Sequence, residues 1–353
     1  MTVKLKTFTL ICASLTALSL TACEQKSEQK TAATENQTPG TATPITNPGG
    51  LKFPLDCTLG DTCLIARYVD RGAGADSAAT DYRCMGETQK DHKGVDIALR
   101  HMGMMETGVD VLAVADGTIL RRRDGVADIS ARQLDESDID GKECGNGIVL
   151  QHEDGRQSQY CHLKNGSLTV GEGASVKAGQ KLGQVGLSGE TEYPHLHYML
   201  REGGEIIDPF DGRKMSDTCT ATSEDDESQW AATPAYEPLV LIGIRISDAP
   251  PERADIWLAP NESIRRTAPA LVMTTHAFHA REGDVWAMKL KDPMGRTFAE
   301  KTETLDRDRQ FIYRFIGRKR PGSGFTPGIW TAEIKASRDG AESKTLRTEF
   351  RVE

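Results

Sequence analysis

The 353-residue chain lacks four things: an apolar run long enough to span a bilayer, a basic stripe, a pair of long amphipathic helices, and any cysteine beyond Cys219. Each absence excludes something. A spanning helix needs about 20 consecutive apolar residues, and the apolar centre of the N-terminus, Phe8 to Leu20, is shorter. With no basic stripe and a formal net charge of −9, nucleic acid is not the expected partner. The missing helical hairpins argue against a coiled adaptor. The last third of the chain, free of cysteine, has no disulfide of its own. What remains is enough chain for about two domains.

The N-terminus carries an address. Lys4 and Lys6 precede the apolar centre, no acid does, and the run ends in Leu20-Thr21-Ala22-Cys23. Residues 1–22 therefore read as a secretory signal. The four final residues resemble a bacterial lipobox. That resemblance implies cleavage before Cys23 and lipidation of its thiol, which anchors a protein to a membrane without spanning it. An ordinary cleaved signal would leave Cys23 a bystander. Glu24 stands where an Asp would retain a Gram-negative lipoprotein at the inner membrane, so the same resemblance implies the outer membrane, facing the periplasm. Residues 23–50 are rich in Gln, Thr, Glu and Pro and read as a disordered tether.

Six cysteines follow in the exported part: Cys57, Cys63, Cys84, Cys144, Cys161 and Cys219. An even number there suggests up to three disulfides. Cys57–Cys63 is the favoured pair, because it closes a short loop through Gly60; the other pairings stay open. Cys161 sits beside His162, so metal ligation must be weighed. Strand alternation would turn Cys161 away from Tyr160 and His162, which favours a disulfide or a buried thiol.

The stretch Tyr193-Pro194-His195-Leu196-His197-Tyr198 organises the first domain. On a strand, residues two apart share a face. His195 and His197 then emerge side by side, with Leu196 and Tyr198 on the other face. Alone, two such histidines carry little specificity. Upstream, His92 and Asp96 are four apart, and Gly94-Val95 argues for a loop entering a strand. An imidazole and a carboxylate suited to Zn²⁺ can converge there. Val109–Leu120 alternates and turns at Asp116-Gly117, a hairpin signal. Residues 121–143, opening on Arg121 to Arg123, read as a polar inserted loop with a short helix near Ile129–Leu134. Gly147–His152 and Gln157–Leu163 form a second hairpin placing Tyr160 and His162 on one face. His152 reads as a structural, hydrogen-bonding residue. The glycine-broken run Val170–Gly186 suits a tightly curved β-structure.

Taken in order, these motifs resemble the lysostaphin/LytM-type zinc metallopeptidases that cut peptidoglycan cross-links. The motifs are His92-x-x-x-Asp96, Ala115-Asp116-Gly117, Gly147–His152, Tyr160-Cys161-His162-Leu163, the run from Val176, and Pro194-His195-Leu196-His197. The resemblance covers about a third of the chain and departs from the family in the 121–143 insertion, in Tyr198 and in the cysteines. It implies one zinc held by His92, Asp96 and His197, with a position open for water, the arrangement of catalytic zinc. It implies catalytic roles for His162 and His195: His195 orients or deprotonates the water, and His162 stabilises the oxyanion or protonates the leaving amine. The two roles can be exchanged. Peptidoglycan stem peptides are the implied substrate. Relatives that keep the fold but lose ligands and activate a cell-wall amidase give the alternative, a non-catalytic regulator. The 170–186 run also resembles lipoyl-type adaptor domains, which would need the helical hairpins this chain lacks.

The expected fold class is mostly β. A small antiparallel metallopeptidase domain with a Gly-rich hairpin region (51–212, core 91–210) is followed by an acidic linker (213–236) and an immunoglobulin-like β-sandwich (237–353). Six runs in the last segment read as strands: Leu239–Ile246, Leu271–His279, Asp284–Leu290, Gln310–Ile316, Gly328–Ala336 and Lys344–Val352. His276 and His279, three apart, would face opposite ways and are expected at the surface. This domain could bind the wall, bind a protein partner or brace the peptidase; fold alone does not decide.

Overall fold

Apolar Leu196, Tyr198 and Leu200 alternate with His195, His197 and Met199, and the strand they form runs through the middle of the first sheet. The computed structural model describes residues 49–72, 77–220, 228–339 and 343–353. The signal, Cys23, nearly all of the tether and the acidic run 223–227 lie outside those residues. Ten strands build the first half: β1 (Cys63–Arg67), β2 (Val95–Leu99), β3 (Asp110–Leu112), β4 (Gly117–Arg123), β5 (Asn146–Gln151), β6 (Gln157–Leu163), β7 (Ser175–Val176), β8 (Lys181–Gln184), β9 (His195–Glu202) and β10 (Glu205–Ile207). The main sheet has the order β1-β2-β9-β6-β5-β4-β7, with β10 paired to β9, and β3 pairs with β8 in a small second sheet. Every pairing between these ten strands is antiparallel. No described helix is long and apolar enough to cross a membrane.

Three expectations change here. Asp116-Gly117 does not close a hairpin between β3 and β4. The Asp116 carboxylate accepts from the Ala178 amide and Lys177, so the turn docks on residues 177–178 and passes the chain from one sheet to the other. Arg121–Arg123 belong to β4 rather than to a loop. Arg122 donates to the Val170 carbonyl, and Arg123 donates to the carbonyls of Gly145 and Gly141. The insertion proper holds a 3₁₀ turn, Ala131–Gln133, and a short helix, Glu136–Ile139. The segment expected as a linker contributes Trp230, which is buried in the first core against Phe53, Tyr198 and Phe210. Three disulfides pair Cys57 with Cys63, Cys84 with Cys219 and Cys144 with Cys161.

The second half is a sandwich. Its strands are β11 (Val240–Ser247), β12 (Ser263–Ile264), β13 (Ala270–Ala280), β14 (Val285–Lys291), β15 (Thr297–Thr304), β16 (Arg309–Lys319), β17 (Gly328–Ser337) and β18 (Lys344–Val352). One sheet has the order β11-β13-β16 and the other β12-β18-β17-β14-β15. Side chains of both sheets, including Met273, Trp286, Trp330 and Phe350, share one core. The sequence reading missed β12 and β15. Both are edge strands, and β15 reads Thr-Phe-Ala-Glu-Lys-Thr-Glu-Thr, the polar composition that protects an exposed edge from pairing.

A third apolar cluster joins the halves: Leu64, Ala66, Ala98 and Tyr193 pack on Val240, Ile242, Trp257 and Phe278. This overturns the surface placement of His276 and His279. Strand β13 has the core on one face and the first half of the molecule on the other, so nearly every residue on it is buried. His276 lies edge-on to Trp257. Burial, then Arg100 and His101, push its pKa down to about 3. His279 has φ +61°, which breaks the alternation and brings Nδ1 to 2.9 Å from Glu87 Oε2.

Candidate metal centre

Register assembles the centre. Antiparallel pairing of β2 with β9 sets Asp96 directly opposite His197 and Ala98 opposite His195. Directly opposed residues on neighbouring strands share a face, so Asp96, His195 and His197 converge. His92 enters from the loop before β2. Gly94 lies between His92 and Asp96 because a Cβ there would meet His197 Nε2 at 2.7 Å. Asp96 Oδ1 sits 3.1 Å from His92 Nε2, 2.8 Å from His197 Nδ1 and 3.5 Å from His195 Nε2. One ligand atom each from His92, Asp96 and His197 lie within 4.8 Å of one another.

The surroundings fit a metal. His92 Nδ1 is 2.7 Å from the Tyr68 carbonyl; donation there leaves the Nε2 lone pair facing Asp96 and His197. Fixing the far nitrogen of a ligating imidazole in this way is characteristic of metal sites. Asp96 Oδ2 accepts from Arg67 at 3.1 Å, and Arg67 also donates to the Tyr193 hydroxyl at 3.0 Å. Burial works against the Asp96 carboxylate, but His92 and His195 beside it hold its pKa well below the usual range. Two imidazoles and one carboxylate form a donor set suited to zinc, with room for a non-protein ligand.

His162 reaches the same cleft by a different device. Alternation alone would send it away from Cys161, and Cys161 is the residue paired with His197. The β5–β6 register slips between Asn146 and Ile148, and His162 adopts φ +61°. This bulge turns both Cys161 and His162 toward the cleft. Tyr160 stays in the core, where its hydroxyl accepts from the Val114 amide. The expected shared face of Tyr160 and His162 is therefore corrected. His162 Nδ1 lies 2.9 Å from the Ser188 carbonyl, so its Nε2 is left for the cleft. Burial, then the neighbouring His195 and His197, push its pKa well below the ordinary value. His195 Nδ1 lies 3.0 Å from both the Tyr193 carbonyl and the Thr191 hydroxyl. The rings of His162 and His195 are 4.6 Å apart.

His152 stands outside this group. It bridges the Asp116 carbonyl and the Ser158 hydroxyl at 2.8 Å each. The Cys144–Cys161 disulfide lines the cleft, which takes Cys161 out of metal ligation. Sequence reasoning missed Arg67, Thr191 and Tyr193. Arg67 lies 29 residues from Asp96 and meets it only after a register slip in β1. It also missed the sandwich's share of the cleft. Arg253, Trp257 and Phe311 line its wall, and its volume is about 690 Å³.

The sequence profile of peptidase family M23 matches residues 90–209. "DD-carboxypeptidase/endopeptidase Mpg" of Neisseria meningitidis serogroup B is 29% identical over 109 residues, covering 31% of this chain and 23% of the relative. "Murein hydrolase activator NlpD" of Escherichia coli (strain K12) is 29% identical over 124 residues, covering 35% of this chain and 26% of the relative. The chain thus matches about a quarter of the length of these curated relatives. Among solved structures, a zinc containing peptidase from Vibrio cholerae aligns at 21% identity and TM-score 0.31, over 45% of this chain and 39% of that one. The catalytic domain of lysostaphin from Staphylococcus simulans aligns at 24% identity and TM-score 0.25, over 40% of this chain and 85% of that one. Those structural likenesses add no weight to the sequence match. Residues 90–209 form a domain of peptidase family M23.

Proposed function

We propose that the protein is a zinc metalloendopeptidase that hydrolyses peptide cross-links of peptidoglycan, held at the outer membrane through a lipid on Cys23. One observation carries the reading: His92, Asp96, His197, His162 and His195 all face a single cleft. The first three would hold the ion. Bound zinc would supply a water of lowered pKa and polarise the scissile carbonyl. His195 is oriented through Nδ1, and its Nε2 faces Asp96; it takes the proton of the attacking water, and the carboxylate steadies the resulting charge. His162 is neutral at rest and adjacent to His195; it completes the relay that returns the proton to the leaving amine.

The test is digestion of isolated cell wall by the full chain purified in detergent, after removal of metal by a chelator and after zinc is restored. New uncross-linked peptides that disappear with the metal and return with zinc are expected. Intact wall under every condition would overturn the hydrolase reading and favour the regulator that the likeness to NlpD also permits.

A further inference from the structure

The cleft does not end at the metal centre. Arg253 and Phe311, both from the sandwich, line it and also line a shallow depression on the sandwich itself. That depression follows β16, an edge strand of the three-stranded sheet. On β16, Ile312 and Ile316 point into the sandwich core. The opposite phase carries Arg309, Phe311, Tyr313 and Phe315. Phe311 stacks on Trp257 at 5.4 Å, Trp257 on Tyr193 at 4.7 Å, and Tyr193 on His195 at 4.6 Å. These stacked faces are buried in the joint and fix Phe311 at the rim of the cleft; the rings left open lie farther along β16, at Tyr313 and at Phe315, which is 45% exposed.

Charge follows the same path. Arg253, Lys301, Arg309 and Arg314 line the depression and no acid does, in a chain whose formal charge is −9. Glu303 pairs with Lys301 and Arg314, and Glu192 pairs with Arg253. Arg309 has no ion-pair partner among the described residues.

We infer that this ring-and-cation path holds the non-reacting length of the substrate, a polymer of amino sugars whose attached peptides carry free carboxylates. The inference rests on the hydrolase reading above. Flat aromatic faces suit the apolar face of a sugar ring, and arginine forks suit carboxylates. The path is continuous with the cleft where a cross-link would be cut. The sandwich then acts as the polymer-reading wall of one shared site, and Arg309 and Phe315 set the preference for long wall over short fragments.

The test compares rates on isolated cell wall and on a soluble cross-linked muropeptide dimer, using the zinc-loaded full chain in detergent. In Arg309→Gln/Phe315→Ala the ratio of wall to dimer cleavage should fall about tenfold, the loss of about 1.4 kcal/mol of binding. Met294→Ala, an exposed side chain outside the depression, should leave the ratio at the wild-type value. Phe315→Tyr, which keeps the ring, should restore most of what Phe315→Ala alone removes. A wild-type ratio in the double variant, with both substrates still cleaved, would overturn the inference and leave the hydrolase reading standing. Failure of the wild-type chain to cleave either substrate would overturn both.

Discussion

The two halves of the molecule each bury histidines, and they use them differently. In the first half, His92, His195 and His197 gather around one oxygen of Asp96 and face an open cleft. In the sandwich, His276 is wedged against the rings of Trp257 and Phe311, and His279 meets Glu87 inside a closed joint. Burial is alike, and number does not decide the matter: the first half has six of the eight histidines and the sandwich two. What separates a site from a joint is a carboxylate shared by several imidazoles, together with space for a further ligand.

The largest effect should come from breaking the shared carboxylate. Asp96→Ala or His197→Ala should strip the metal and lower hydrolysis by at least about 10³-fold, measured as zinc per chain and peptide release. Next, Arg67→Met should keep the fold but weaken metal affinity about 10–100-fold, since it removes the donor to Asp96 Oδ2; competition with a chromogenic chelator reads this directly. In the sandwich, His279→Phe should leave zinc content and turnover near wild type. It leaves Glu87 with Arg281 alone, costing about 1–3 kcal/mol of stability in thermal or denaturant unfolding.

An effect on stability alone, outside the metal centre, concerns pH. Burial, then Asp211, raise the Asp208 carboxyl to about 8. A carboxyl raised on folding keeps its proton in the native state, so its ionisation costs stability as pH rises from the unfolded value toward about 8. Wild-type stability should therefore decline over that range relative to Asp208→Asn. Parallel stability profiles for the two proteins between pH 5 and 9 would contradict this.

Much of the first half could be read from the sequence, because its chemistry repeats at strand spacing. His195 and His197 two apart, and Leu196 and Tyr198 between them, define both the site face and the core face. His162 was identified as a candidate but its path to the cleft was not: that path depends on a bulge and a left-handed backbone, which leave no periodic trace. The reading of His276 and His279 failed because alternation assigns faces without saying what covers them. Spacing alone puts the two histidines at the surface, and the first half of the molecule covers their strand. Arg67, Tyr193 and Trp257 were invisible for the same reason, since each acts through a partner distant in sequence.

The most direct measurement is zinc content and cross-link release on the same preparations of wild-type protein and His162→Ala. About one zinc per chain in both, with peptide release in wild type and a loss of about 10²–10⁴-fold in the variant, is the result expected of a hydrolytic centre. Full zinc occupancy with no release from either protein would mean that the cleft holds a metal without using it, and would contradict the account.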